Sequence, residues 1–246
     1  MDRSLYVAMT GAKELLQAQA VNNFNLANAS TTGFKAELTA FQSEPVAGTG
    51  YASRVYAMGS SGGWDSAQGA MTTTGNPLDV AVQGPGFIAV QAPNGKEAYT
   101  RNGDLHVEAS GLLVTSSGQP VIGDNGPISI PPSDTVKIAG DGTVSVVPLG
   151  QPPDTLAMIG RIKLVNPPES SLVRASGGLF ELANGARAPA DASVKIASGV
   201  LETSNVDLAG AMVNMIDLAR NFELQVKAMK SADTNAAASS QLLQAT

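Results

Sequence analysis

The chain has 246 residues, a net charge of −6 and no cysteine. The missing cysteine excludes disulfides, thiolate metal sites and cysteine nucleophiles. The acidic balance, with no Lys/Arg cluster, argues against a nucleic-acid partner, because phosphate binding wants a clustered basic surface. Charged residues make up only 15%, below the usual quarter, so the surface repels neighbours weakly. The length suits one large all-β domain or two ordinary ones, with a core that needs no metal or disulfide.

The opening MDRSLYVAMTGAKELLQAQ has no basic n-region, no continuous apolar stretch and no small-residue cleavage site, so it is not read as a secretory signal peptide. No apolar run reaches the roughly 18 residues of a membrane span. On these rules alone the chain stays in the cytoplasm unless it is exported with an uncleaved signal. Residues 4 to 28 predict a helix whose broad face carries Leu5, Ala8, Met9, Ala12, Leu15, Leu16 and Leu26. Asn22, Asn23, Asn25 and Asn28 interrupt it, and asparagine amides compete with helical backbone bonds. They read either as a fraying end before Gly33 or as amides that fix register against other chains.

Residues 36–76 are rich in Gly, Ser, Ala and Thr and predict an extended connector with one short strand around Ser53 to Met58. Trp64, the only tryptophan, is expected to be half-buried there. From Pro77 to about Gly199 short β-prone runs alternate with turn residues, and Asn94-Gly95 and Asp141-Gly142 are hairpin signals. That spacing predicts an all-β sandwich or barrel-like domain over 77–200.

The stretch 201–246 predicts one long helix, with Ser204 as cap and Asp207 answering it in a capping box. Leu208, Met212, Met215, Ala219, Phe222, Val226 and Met229 alternate spacings of four and three, the a/d seam of a coiled coil. Val213, Ile216, Leu218 and Leu224 fall off that seam, so a single partner helix leaves them wet. The helix therefore lies on its own domain core or completes its burial in an oligomer. The fold class is α+β, with the all-β domain between helical segments 1–35 and 201–246, which can meet in space only if that domain is an insertion between them.

Little here suggests catalysis. G-x-S-x-G is absent, and His106, the only histidine, lies in a probable strand. Zinc needs three or four N/S ligands that the chain does not supply. The segments GDNG (Gly123 to Gly126) and AGDGT (Ala139 to Thr143) lack the carboxylates of a calcium loop and read as turns. No cofactor, metal or small-molecule substrate is expected, and a β-domain hydrolase remains only as an alternative of another class.

Five stretches resemble the rod–hook proteins that build the axis of the bacterial flagellum. They are NFNLANASTTGFK (Asn23 to Lys35), TTGNPLDVAVQGPGFIAVQ (Thr73 to Gln91), YTRNGDLHVEASGLLVTSSGQPVIG (Tyr99 to Gly123), PISIP (Pro127 to Pro131) and SGVLETSNVDLAGAMVNMIDLARNFELQVKAMKSAD (Ser198 to Asp233). The opening, the short length and Ile138 to Val165 look most like proximal-rod members. Phe24 stands where distal-rod and hook members commonly carry a polar residue.

The resemblance implies a structural, non-enzymatic rod subunit whose N- and C-terminal helices pair as a coiled coil with the β domain outside, with a distal-rod or hook-class paralogue as the alternative. It also implies export by the flagellar type III apparatus without a cleaved signal and a place in the rod crossing the periplasm. The implied partners are other rod proteins and the chain itself, with no membrane insertion. The expected assembly residues are Leu5, Met9, Ala12, Leu16, Asn25, Leu26, Asn28, Gly33 and Phe34 toward the N-terminus. Toward the C-terminus they are Leu208, Met212, Met215, Leu218, Phe222, Leu224, Val226 and Met229.

Overall fold

The structure is a computed structural model that describes residues 4–45, 55–152 and 155–244. Helix α1 (Ser4–Ala27) and helix α2 (Leu208–Gln244) flank a succession of strands, all paired antiparallel. The chain divides into two compact units. Unit 1 comprises Met1–Ala29, Ala36–Asp65 and Val206–Thr246, and unit 2 comprises Ser30–Lys35 and Ser66–Asn205.

In unit 1, α1 and α2 pack antiparallel: the Asn22 amide donates to the Ala211 carbonyl (2.8 Å), while Gly11 faces Gln225. The side of α1 turned to its partner carries small residues, Ala8, Gly11 and Ala18. A methyl group on Gly11 would stand 3.2 Å from the Gln225 carboxamide, so glycine sets how closely the helices approach there.

The inward positions of α2 are Ala211, Met215, Leu218, Phe222, Gln225, Met229 and Ala232. They keep the alternating four-and-three spacing, but the stripe is turned relative to the predicted one. Met215, Phe222 and Met229 belong to both; Leu208, Met212 and Val226 are exposed; Leu218, expected off the seam, is only 7% exposed. The reason lies on the other helix. Small residues on α1 admit an inward polar residue such as Gln225, so the largest apolar side chains of α2 do not decide which face is covered. Helix α2 also begins later than predicted. The Asp207 carboxylate accepts the Ala209 N–H (3.1 Å) and caps the helix, so Ser204 stays outside it.

The segment read as a connector contains a long hairpin, β1 (Glu37–Pro45) against β2 (Val55–Trp64), within unit 1. Of the strand expected around Ser53 to Met58, residues 53 and 54 lie outside the described residues, and β2 runs from Val55. Two side chains of α1 hold the hairpin. Asn25 donates to the Glu37 carbonyl and accepts the Glu37 N–H, both at 2.8 Å, and the buried Glu14 carboxylate accepts the Gly59 N–H (2.9 Å). A Cβ on Gly59 would fall 2.2 Å from Glu14 Oε2, so a larger residue there would require the Glu14 side chain to shift. Trp64 is half-buried at the end of β2.

Unit 2 holds β3 (Met71–Thr73), β4 (Val80–Gln83), β5 (Phe87–Gln91), β6 (Glu97–Thr100), β7 (Leu105–Val107), β8 (Leu113–Thr115), β9 (Ile122–Gly123) and β10 (Gly126–Pro127). Then come β11 (Ser133–Ile138), β12 (Thr143–Pro148), β13 (Ala157–Arg161), β14 (Leu164–Val165), β15 (Leu172–Arg174), β16 (Phe180–Leu182), β17 (Lys195–Ser198) and β18 (Val200–Glu202). A five-stranded sheet runs β14-β5-β6-β16-β15 and a three-stranded one β11-β12-β13, while β17 pairs with β4 and β18 with β3. The two hairpin signals stand where expected, at the β5–β6 and β11–β12 turns, with Gly95 and Gly142 at positive φ. Inward residues such as Val80, Val82, Ile88, Val90, Leu105, Leu113, Val144 and Ile162 form the core, all but closed to solvent.

Beside this core a polar chain is fully satisfied. Lys163 Nζ donates to both Glu97 oxygens (2.7 and 2.9 Å), the Tyr99 hydroxyl donates to Glu97 (3.0 Å), and Tyr99 accepts the Ala188 N–H (2.7 Å). Burial pushes the Tyr99 phenol from 10.0 up to about 12, and the adjacent Glu97 carboxylate adds to the shift. A group whose pKa is raised on folding stabilises the fold fully below its unfolded value. That contribution is therefore lost as pH rises from about 10 toward about 12. Tyrosinate absorbance titration of the chain should show one component near 12, and Tyr99→Phe should remove it. The helix pair gives a second expectation. Leu218→Ala should cost about 2 kcal/mol or more in urea unfolding followed by helical circular dichroism, while Val213→Ala and Ile216→Ala should stay within about 0.5 kcal/mol.

Candidate assembly surface and buried ion cluster

The expected assembly residues divide into three groups. Leu5, Met9 and Leu16 of α1 and Leu208, Met212, Leu224 and Val226 of α2 are exposed large apolar side chains. Ala12, Leu218 and Asn25 are buried within unit 1, where Leu26, Asn28, Met215, Phe222 and Met229 are half-buried. Gly33 and Phe34 are buried in unit 2.

Unit 1 therefore presents apolar side chains outward from all of its elements. Besides those named, Tyr6 and Phe24 of α1, Leu38 and Phe41 of β1, Val55 and Met58 of β2, and Val213 and Ile216 of α2 are exposed. Val213, Ile216 and Leu224 reach 57–59% exposure. The asparagines expected to reach other chains make bonds within this one. The Asn22 amide bonds α2 and accepts from Asn214 (3.4 Å), Asn25 clamps β1, and Asn28 donates to the Phe24 carbonyl (2.8 Å).

Gly33, Phe34 and Lys35 close the neck of unit 2, where the chain enters and leaves it. The Gly33 N–H donates to the Glu202 carbonyl (2.8 Å), and the Asn205 N–H donates to the Phe34 carbonyl (3.3 Å), so entering and leaving segments lie side by side. Gly33 has φ +66°, and a Cβ on it would meet the Arg101 carbonyl carbon at 2.2 Å; both conformation and space require glycine. Phe34 lies under the Arg174 guanidinium, whose Cζ is 4.7 Å from the ring centroid, and Arg174 also donates to the Lys35 carbonyl (2.9 Å).

Glu202 stands at the centre, with no exposure at all. Its Oε1 accepts from Lys35 Nζ (2.7 Å) and from the Gly69 N–H (3.1 Å), and its Oε2 accepts from Arg101 Nη1 (2.9 Å). Two buried cations share one carboxylate, and backbone carbonyls accept from the donors it leaves unfilled. Ala67 O accepts a hydrogen bond from Lys35 Nζ (2.6 Å), and Val82 O and Gly84 O accept from Arg101 Nη1 and Nη2 (3.4 and 2.5 Å). Arg101 Nε is buried without a hydrogen-bond partner among the described residues.

Sequence reasoning missed Arg101 and Glu202. The available signal was charge placed inside β-prone text, in EAYTR and VLE, where an unpaired charge is too costly to leave buried.

Nothing comparable surrounds His106, which is exposed on β7, and no side chain is hydrogen-bonded to it among the described residues. Asp141 spends its carboxylate on the turn, accepting the Thr143 N–H (3.0 Å) and hydroxyl (2.9 Å), and these bonds hold it below the usual carboxylate range. Among the described residues no group of three or more His, Asp or Glu side chains is placed to hold a metal ion, and no helix is long and apolar enough to cross a membrane.

The ion cluster makes a signed expectation. Glu202→Gln leaves two buried cations without a counter-charge and should cost about 3–5 kcal/mol in urea unfolding. Lys35→Met leaves the Glu202–Arg101 pair intact and should cost less. In the Glu202→Gln background, Lys35→Met should restore about 1 kcal/mol or more, because it removes an uncompensated cation. Simple addition of the two losses would show that the charges do not act as one cluster.

Three family models match the chain: "Flagella basal body rod protein" over residues 5–35, "Flagellar hook protein FlgE/F/G D1 domain" over 81–146, and "Flagellar basal body rod FlgEFG protein C-terminal" over 197–242. Flagellar basal-body rod protein FlgF of Salmonella typhimurium and that of Escherichia coli are each 45% identical over 249 residues, 99% of this chain and of each relative. Flagellar basal-body rod protein FlgG of Buchnera aphidicola subsp. Schizaphis graminum is 34% identical over 267 residues, 94% of this chain and 95% of its own. Similar over almost its whole length to proteins of one kind, the chain belongs to the flagellar basal-body rod protein family.

Proposed function

We propose that the chain is a structural subunit of the proximal rod of the bacterial flagellum, the part of the drive shaft nearest the inner membrane that carries motor torque through the periplasm. The observation that carries the reading is the outward apolar surface of unit 1. Val213, Ile216 and Leu224 on α2, and Leu5, Met9 and Leu16 on α1, are water-exposed in the single chain. A helix pair with this much apolar surface is completed by neighbours, and head-to-tail contacts that do not close into a ring build a helical tube. The neighbours are other rod proteins and further copies of this chain. The subunit has no catalytic role; its interactions are mechanical. It leaves the cytoplasm through the flagellar type III export apparatus. Identity of 45% to the FlgF proteins of Salmonella typhimurium and Escherichia coli, against 34% to the FlgG of Buchnera aphidicola, supports the proximal over the distal or hook-class assignment.

Two sets of substitutions test the surface. Val213→Asp, Ile216→Asp and Leu224→Asp should leave the isolated chain's melting temperature within a few degrees of the parent, since surface changes away from special features cost about 0.5 kcal/mol or less. The same chains should fail to enter rods, and swimming in soft agar should be lost. Met215→Asp and Phe222→Asp lie against α1 and should unfold the helix pair itself. Normal rods built from the Val213, Ile216 and Leu224 variants would sink the surface assignment. Labelled subunits seen in sectioned basal bodies away from the inner-membrane ring would sink the proximal one.

A further inference from the structure

Asn-Gly pairs stand at residues 94–95, 102–103, 125–126 and 184–185, all of them in unit 2. Such a pair can close a succinimide ring. The glycine nitrogen, once deprotonated, attacks the asparagine Cγ; the new C–N bond forms as the Cγ–Nδ2 bond breaks, and the amide nitrogen leaves as ammonia. Water then opens the ring at either carbonyl, giving aspartate or its β-linked isomer, isoaspartate. Nothing is oxidised or reduced. Glycine favours the closure because no Cβ crowds the approaching nitrogen. The asparagine side chain, for its part, has to swing onto the backbone, so bonds that hold it elsewhere slow the reaction.

In three of the pairs the side chain is held. Asn94 Oδ1 accepts the Lys96 N–H (2.9 Å), and the Asn94 amide donates to Glu181 (3.3 Å). Asn102 is buried; its Oδ1 accepts the Asp104 N–H (3.1 Å), and its amide donates to Ser116 Oγ (2.9 Å). Asn184 Oδ1 accepts the Ala186 N–H (3.0 Å). Each oxygen is thus tied to the N–H two residues on, the bond by which asparagine ordinarily shapes a turn. Asn125 has no such donor, because residue 127 is proline and carries no N–H. Asn125 is exposed in the turn between β9 and β10, and its side chain makes no hydrogen bond among the described residues. The backbone does not account for the contrast. Gly126 faces Gly123 across its turn, much as the Gly95 and Gly185 N–H groups bond back to the Ala92 and Leu182 carbonyls.

We propose that Asn125 is a deamidation site of the folded chain, left open by Pro127 while the other three Asn-Gly pairs are locked. The reaction adds one negative charge, taking the chain from −6 to −7. The new carboxylate lies beside Asp124 in the lining of a cavity of about 490 Å³ to which Glu97, Lys163 and Arg187 also contribute. Isoaspartate would in addition lengthen by one methylene the backbone of a turn whose length sets the register of β9 on β10.

The test incubates the full chain in mildly alkaline buffer and follows each Asn-Gly peptide by proteolytic mapping and mass spectrometry, scoring the amide-to-acid mass change and the separate elution of isoaspartate. Asn125 should react roughly five- to tenfold faster than Asn94, Asn102 or Asn184, the reach of the one or two hydrogen bonds that must break first at those sites. In urea, where the turns are gone, the four should react at similar rates. The variant Pro127→Ala supplies an N–H two residues on and should slow Asn125 by roughly fivefold. An Asn125 no faster than the other three in the folded chain overturns the proposal, and so does a preference that persists unchanged in urea. An Asn125 rate untouched by Pro127→Ala overturns the role given to the proline.

Discussion

A single carboxylate, that of Glu202, organises the β domain. Burying a charge is tolerable only when it is paired and its remaining lone pairs are filled. Here Lys35, Arg101 and the Gly69 N–H fill them. The requirement reaches far along the chain, since Lys35 comes from the entering segment, Arg101 from the residue after β6, and Glu202 from the last strand. Removing one partner leaves the others charged inside the protein. The unit is thus closed at its neck by electrostatic demand as much as by apolar packing. Phe34 under Arg174 and Gly33 against the Arg101 carbonyl belong to the same closure.

The three family matches each contain one member of this cluster: residues 5–35 include Lys35, 81–146 include Arg101, and 197–242 include Glu202. The cluster therefore joins the three segments by which the chain is placed in its family. It also gives the end of the first segment a physical meaning: glycine for space, phenylalanine for a cation's face, lysine for a buried acid.

Unit 1 follows the opposite logic. Its interior mixes the large apolar residues Met215, Leu218 and Phe222 of α2 with small and polar ones, Ala8, Gly11 and Ala18 on α1, the Gln225 amide on α2, and Asn22, Asn25 and Glu14 bonded to backbone. Other large apolar side chains, Tyr6, Met9 and Leu16 of α1 and Met212, Val213 and Ile216 of α2, face water. Small residues on α1 give close approach and dispersion contact, so only part of the large apolar side chains of the helices is used inside the unit. Polar bonds to backbone are directional and set the register of helices and hairpin, a task that apolar contact alone performs poorly.

The sequence by itself determined the order helix, β-rich middle, helix, because hydrophobic period and turn chemistry are local. Asn94-Gly95 and Asp141-Gly142 turned where glycine at positive φ is needed, and α2 carried a repeat of four and three. It also determined the family through five motifs, although the work done by Lys35 stayed hidden in one of them. Tertiary structure decided which face of α2 is covered. Leu218 rather than Met212 or Val226 turns inward, because a helix does not know that its partner offers glycine and alanine. It decided that the glycine-rich stretch before Asp65 is a hairpin, since Gly59 answers a glutamate on α1 that lies 45 residues away. Above all it decided the partners of Glu202, because burial makes a charge costly and only the folded chain shows which distant cations come to meet it.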